Sequence, residues 1–279
     1  MSNATNIHPT AIIAAGAYIP ASCTIGPYST IGPNVVLGEN CRLISHVVLV
    51  GDEAGHLTVG AGTAIYPFAC VGVAPQDLKY AGEPTRCILG ANNTIREYVT
   101  ISRGTAGGGG ETTLGDGCLI MAYVHIGHDS HIGDGCILAN SATLAGHVTV
   151  EDYAVVGALC PVHQHCRIGR YAYIGGGTTI TQDVLPYSLT CIERNNHAYG
   201  LNKVGLERRG FTPAQLKSLR QAYRLLQASK LNTTDALAAI RSTLLAPSDS
   251  SAPAPDPVDT EHVRYLADFI ASAARGIIK

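Results

Sequence analysis

Residues 118–135 read CLIMAYVHIGHDSHIGDG, residues 136–153 read CILANSATLAGHVTVEDY, and residues 154–171 read AVVGALCPVHQHCRIGRY. Laid over one another, the lines carry aliphatic residues at the same places: Ile120, Ile126, Ile132; Leu138, Leu144, Val150; Val156, Val162, Ile168. The period is six. It extends to Leu114 on one side and to Ile174 and Ile180 on the other, and it governs Ile13, Ile19, Ile25, Ile31, Leu37, Leu43 and Leu49. A small or β-branched residue usually stands two places earlier, as at Ala11, Ala17, Cys23, Ser29, Val35, Cys41, Cys118, Val124 and Ser130. Such a period matches neither the 3.6-residue helical turn nor an unbroken two-residue alternation. It matches a β-solenoid in which each hexad is one short strand plus a corner. The aliphatic side chain fills the interior and the small one makes room for it. Three faces need three hexads, so one coil takes 18 residues.

Composition agrees with a narrow aliphatic core: aromatic residues make up 6% of the 279, and there is no Trp. The formal charge of −2 gives no global reason to expect nucleic acid or a membrane surface as partner. Charge is uneven, however. Residues 201–230 hold Lys203, Arg208, Arg209, Lys217, Arg220, Arg224 and Lys230 against Glu207, which reads either as a solvated helix face or as a docking surface for an acidic partner. Of the nine cysteines, Cys23, Cys41, Cys87, Cys118, Cys136, Cys160 and Cys166 fall at the small-residue position, which makes them packing groups. No CxxC occurs, Met1–Pro20 lacks the basic start of a secretory signal, and no run of about 20 apolar residues spans a membrane. A reduced, cytoplasmic location is expected.

The period breaks three times: near Gly51–His56, between Val71 and Leu89, and between Ile101 and Leu114. The last break carries the run Gly107–Gly110, which lacks the Lys-Ser/Thr of a phosphate-binding loop and reads as a flexible loop. Insertions in solenoids protrude on one face, often the binding face. After Ile180 the period stops, and residues 181–210 read as an irregular exit segment. The expected division is a solenoid over residues 1–190 and a helical domain over 191–279. In the latter, one helix starts at Pro213 behind the N-cap Thr212 and runs to about Lys230. A second covers Thr234–Leu245 behind Thr233 or Asn232. Residues 246–258 form a Pro/Ser/Asp-rich linker before a last helix over roughly Thr260–Arg275.

The 18-residue coil also places the histidines in space. Gly127-His128-Asp129 should stack under Ala145-Gly146-His147, and that under His163-Gln164-His165, at the strand spacing of about 4.8 Å. With His125 just before, five of the chain's 11 histidines gather at one edge. Two chemistries could use it. One is a metal site with histidine ligands from neighbouring coils, as in γ-class carbonic anhydrases. The other is acyl transfer, with a neutral imidazole as general base. Asp129 beside His128 favours the second, because a carboxylate fixes the ring tautomer and stabilises the imidazolium. The Gly146 N–H can serve as an oxyanion donor without steric bulk.

The chain resembles the UDP-N-acetylglucosamine O-acyltransferases that open lipid A biosynthesis. The matching stretches are Gln76-Asp77-Leu78-Lys79-Tyr80-Ala81-Gly82-Glu83-Pro84-Thr85-Arg86, His125-Ile126-Gly127-His128-Asp129, Ile137-Leu138-Ala139-Asn140, and Thr143-Leu144-Ala145-Gly146-His147-Val148. His163-Gln164, Gln182-Asp183-Val184, Arg208-Arg209-Gly210-Phe211 and the closing Arg275-Gly276-Ile277-Ile278-Lys279 continue it. The resemblance implies a left-handed parallel β-helix with a C-terminal α-helical domain, assembled as a homotrimer with active sites between subunits. It implies transfer of a 3-hydroxyacyl group from acyl carrier protein to a UDP-sugar, with no metal and no cofactor beyond the carrier's phosphopantetheine. By position His128 matches the general base and Asp129 its partner. Gln76, Asp77, Lys79, His125 and His147 match residues around sugar and acyl group. His163, Gln164, Asn202, Arg208 and Arg209 match contacts to nucleotide, phosphates or carrier, and Gly176 matches the position that limits acyl length. Ser102, His165, Val204 and a longer Cys191–Tyr199 segment depart from the best-known members. Ester and amide products both stay open, since a 3-amino acceptor would use the same base. A later N-acyltransferase of the pathway shares the solenoid but usually carries an additional N-terminal domain.

Overall fold

The computed structural model describes residues 6–53, 55–193, 195–228, 231–245 and 257–278. Short parallel strands, most of them two residues long, stack into three sheets of 11, 8 and 7 strands that form the faces of a left-handed β-helix. Where the chain is regular, pairing joins residues one 18-residue coil apart, as Ile120 with Leu138 and Leu138 with Val156. Where loops intervene the partners lie farther apart in sequence: Leu43 pairs with Ile65, Ile65 with Ile95, and Ile95 with Ile120. The loops leave the register in space untouched.

Inside runs one continuous core of the hexad aliphatics, from Ile25 and Ile31 to Ile174 and Ile180, each at most 3% exposed. The seven cysteines read as packing groups are all buried in it. At the N-terminal end Ile7, Ile13 and Ile19 are only partly buried, as suits a capping coil. At the other end the chain returns to close the stack. Ile278 joins the core at 3% exposure, with its N–H donating to the Asp183 carbonyl at 2.9 Å. Among the described residues no helix is long and apolar enough to cross a membrane.

Beyond the last coil the expected irregular exit segment is instead an antiparallel hairpin, Ser188–Glu193 with Asn195–Leu201, followed by helix α1 (Lys203–Arg208). Asn195, Asn196 and Gly200 give it little strand propensity. Its order comes from pairing with the solenoid, Tyr173 beside Leu189 and Ile174 beside Thr190. Helix α2 (Pro213–Tyr223) starts behind the expected N-cap Thr212, with Gln215 completing a capping box, and continues as a π-helical turn over Arg224–Ala228. Asn232, the second of the two candidates, caps α3 (Thr233–Ile240), which passes into another π-helical turn over Arg241–Leu245. Helix α4 spans Pro257–Ala271, earlier than expected, because Pro257 is suited to a helix's first turn. Most of the expected linker, residues 246–256, lies outside the described residues. The helices bury a second core of Leu206, Leu216, Leu219, Tyr223, Leu226, Ile240, Val263 and Leu266 with Leu185 and Tyr187.

Candidate active site

The edge that gathers the histidines is the corner following the strands of the 8-stranded sheet. Asp129, His147 and His165 occupy the same corner position on consecutive coils, with φ of 57°, 61° and 63°. This left-handed conformation is one that Asp accepts because its short side chain can bond locally. The rings form a column: His128 meets His147 edge-on at 5.1 Å, and His147 stacks on His165 at 4.5 Å.

His128 Nδ1 lies 2.7 Å from Asp129 Oδ2. An ionised carboxylate can only accept, so Nδ1 carries the proton, and in the neutral ring Nε2 keeps its lone pair. The Asp129 side chain is fully buried, whereas that of His128 keeps 15% of its surface open. Such a buried carboxylate needs hydrogen bonds, and the loop around the glycine run supplies them. The Thr105 N–H donates to Oδ1 at 2.7 Å and the Thr105 hydroxyl to Oδ2 at 2.7 Å. The Asp129 N–H in turn donates to Thr112 Oγ1 at 2.8 Å. The expected flexible loop is therefore a short 3₁₀ turn, Ala106–Gly108, capped by Thr105 and packed on the carboxylate. Gly108 has to be glycine, since a Cβ there would stand 2.0 Å from Asp129 Cγ. Gly146 is crowded less severely: a Cβ would stand 2.7 Å from His128 Nε2, so the imidazole lies over the glycine backbone.

Burial favours the neutral form of the two neighbouring histidines. Burial pushes the His125 pKa below the ordinary imidazole value and a charge on His128 would push the same way, while His125 Nδ1 shares a 2.8 Å hydrogen bond with Thr100 Oγ1. His147 is lowered too, first by burial, with Asp129 and Asp77 opposing. The Asp77 effect puts the inserted loop 74–84 within electrostatic reach of the corner. In that loop Gln76 and Lys79 are exposed, and Asp77 accepts the Lys79 N–H at 2.9 Å.

The other candidate residues lie outside this hydrogen-bonded group. His163-Gln164-His165 continues the edge in the expected register, Val162 pairing with Leu144 and the His165 N–H donating to the Gly146 carbonyl at 3.3 Å. The His163 ring is exposed with its Nδ1 3.2 Å from Arg275 Nη2, Gln164 is exposed beside it, and His165 carries the ring column. Asn202 caps α1 by accepting the Gly205 N–H at 3.2 Å and donates to the Tyr171 carbonyl. With Arg208, Val204, Tyr173 and Leu189 it lines a groove. The Arg209 guanidinium stacks 4.5 Å over the Tyr153 ring. Gly176 is exposed, and a Cβ there would meet the Ala158 carbonyl oxygen at 3.3 Å, a contact that small adjustments relieve. Thr100, Thr105, Gly108 and Thr112 were not legible in advance, because their partners lie across insertions of irregular length.

Ligand atoms of His128, Asp129 and His147 lie within 4.8 Å of one another, so a cation deserves a test. Two ligands about 2.0–2.2 Å from a tetrahedral zinc stand roughly 3.3 Å apart. The 2.7 Å between Nδ1 and Oδ2 is a hydrogen-bond separation, and Oδ2 already accepts from Thr105. The spacing is that of a hydrogen-bonded imidazole and carboxylate rather than of two ligands on one ion.

Residues 183–278 match the family described as UDP-N-acetylglucosamine O-acyltransferase, domain 2, and residues 4–39 and 111–146 match the bacterial transferase hexapeptide. A protein of Verminephrobacter eiseniae, named acyl-[acyl-carrier-protein]--UDP-N-acetylglucosamine O-acyltransferase, is 45% identical over 276 residues, 99% of this chain and 100% of that one. The chain belongs to the UDP-N-acetylglucosamine O-acyltransferase family. A similarly named relative from Xylella fastidiosa is 39% identical over 277 residues, 99% of both chains. Among solved structures, the UDP-N-acetylglucosamine acyltransferase of Francisella novicida superposes with a TM-score of 0.88 at 36% identity, over 98% of this chain and 93% of that one. LpxA of Acinetobacter baumannii gives 0.88 at 37% identity, over 98% and 100%. The chain is thus an acyltransferase, and the corner at His128 is its candidate centre.

Proposed function

We propose that this enzyme transfers a 3-hydroxyacyl group from acyl carrier protein to the 3-position of UDP-N-acetylglucosamine, the opening step of lipid A biosynthesis, with His128 as general base. The observation that carries the base assignment is the 2.7 Å contact between His128 Nδ1 and an Asp129 carboxylate held from behind by Thr105. Nε2 is left free to take the proton of the acceptor hydroxyl. That oxygen attacks the thioester carbonyl carbon, and the tetrahedral oxyanion receives the Gly146 N–H. As the carbonyl re-forms, the C–S bond breaks. The electron pair leaves on sulfur and the imidazolium proton follows it. A thiol with pKa of about 8.5 is a good leaving group, so no strong acid and no cofactor is needed.

Gln76, Asp77, Lys79, His125 and His147 surround the sugar and the acyl group in this reading. His163, Gln164, Asn202, Arg208 and Arg209 serve nucleotide and carrier. They meet the His128 corner across the cleft between subunits of a homotrimer. Residues 1–190 form the acyltransferase solenoid and 191–279 the helical domain, whose basic stretch receives the acidic carrier. The enzyme works in the cytoplasm. His128→Ala should lower turnover by roughly 10²–10⁴-fold, the usual size of a general-base contribution. Its melting temperature should hardly change, because the ring is partly open. Near-normal turnover in a folded variant contradicts the assignment. Mild alkali on the product separates ester, which hydrolyses, from the amide that a 3-amino acceptor would give.

A further inference from the structure

Arg103 is charged, yet only 3% exposed. It cannot touch substrate, and a buried guanidinium is retained only where partners occupy its donors. Two inserted segments supply them, and Arg103 itself belongs to a third. Nε and Nη2 both donate to the Tyr80 hydroxyl, at 3.1 and 2.8 Å, from the loop 74–84. Nη1 donates to Asp52 Oδ2 at 3.0 Å, in the small hairpin closed by Asp52 and Gly55. Gly55 has no side chain because a Cβ would stand 2.2 Å from Nη1. The third segment is its own: Arg103 begins the loop in which Thr105 grips Asp129.

The connection is doubled on the far side. Tyr80, while accepting from Arg103, donates its hydroxyl to the Glu83 carbonyl at 3.2 Å. The Glu83 carboxylate accepts the Ala81 N–H at 2.8 Å and, across to the other loop, the Ala106 N–H at 3.2 Å. The loop bearing Gln76, Asp77 and Lys79 and the loop holding Asp129 are thereby tied at both ends of Tyr80–Glu83.

We propose that Arg103 is a positioning residue that locks loop 74–84 against the loop holding Asp129, so that the sugar-binding side chains and the base share one rigid frame. This rests on the assignment of loop 74–84 to the sugar nucleotide. Cutting the Tyr80 end leaves the loop held only through Glu83 and loosens it, while Thr105 stays on Asp129, so binding suffers and chemistry does not.

The test is steady-state kinetics of the full-length enzyme at saturating acyl carrier protein, with Tyr80→Phe, Arg103→Lys, the double variant, and Asp77→Ala in parallel. Lysine keeps the charge but cannot hold Tyr80 and Asp52 together through a planar fork. Tyr80→Phe and Arg103→Lys should each raise KM for UDP-N-acetylglucosamine about tenfold, the lower range for one hydrogen bond to a charged group. Turnover should stay within about twofold, and the double variant should match the worse single one, because both cut the same tie. A lowered melting temperature with unchanged KM would make Arg103 a stability residue and overturn the proposal, as would multiplied effects in the double variant. Asp77→Ala separates the two claims. If it raises KM while the others do not, the loop binds sugar and the positioning role fails. If only Tyr80→Phe and Arg103→Lys raise it, positioning stands and Asp77 loses its role.

Discussion

From Leu119 to Ile174 the solenoid is unbroken period, whereas from Gly51 to Leu114 the same three faces carry three inserted loops. Within the first stretch the coils pair residues 18 positions apart, as Ile126 with Leu144. A single histidine column there follows from the register alone. In the second the contacts that matter join residues 24, 25 or 51 apart, as Thr105 with Asp129, Thr100 with His125, and Arg103 with Asp52. The regular coils provide His128, the proposed base, with the glycine beneath it and the histidines beside it. The interrupted coils supply the groups that orient them. Repetition can place an imidazole, but fixing one proton on one nitrogen takes a unique partner, and the insertions are where unique partners arise.

The largest effect expected from breaking this division of labour is at Gly108. Gly108→Ala removes no functional group, but its methyl would overlap the Asp129 carboxylate. Turnover should fall roughly 10–100-fold, the value of one or more hydrogen bonds to a charged group. Gly107→Ala, where a Cβ meets nothing within 4 Å, should behave almost as wild type. Equal turnover in the two variants would mean that the glycine-run loop does not orient the base.

A smaller effect is expected at the regular end. Gly176→Met should shift the preferred donor toward shorter 3-hydroxyacyl chains. Two buried methylenes at about 0.8 kcal/mol each amount to roughly tenfold in preference. A ladder of acyl carrier proteins assayed on both enzymes reads this directly, and an unchanged optimum would move the length limit to another residue.

Smallest is the effect outside the solenoid. Arg224 is exposed and lines a groove with Lys203 and Arg220. Arg224→Ala should raise KM for acyl carrier protein about threefold at low salt, with the difference fading as salt rises, because exposed charges are screened over about 8–10 Å. A short acyl-pantetheine donor should not respond. If it responds as strongly as the carrier, docking is the wrong explanation.

Much of the fold is legible because one residue choice repeats. The aliphatics, the seven buried cysteines and the Thr212 cap each obey a local rule, and so does the corner that brings His128, Asp129, Gly146 and His147 together. The hairpin Ser188–Leu201 obeys none, since its order is imposed by the adjacent coil. Thr105 and Thr112 look like ordinary loop and strand residues until the chain is closed, and Arg103 looks like a surface charge. At His163 the register places the residue on its coil, but the partner of its ring, Arg275 of the returning tail, lies 112 positions away and no period announces it.

The most direct test is a kinetic cycle on the pair itself: kcat/KM for His128→Ala, Asp129→Asn and the double variant, with melting temperatures to confirm folding. Asparagine suits position 129 because it tolerates the left-handed backbone there. If Asp129 acts through His128, each single variant loses activity and the double is no worse than His128→Ala alone. Losses that multiply in the double variant would show two independent contributions and contradict the account.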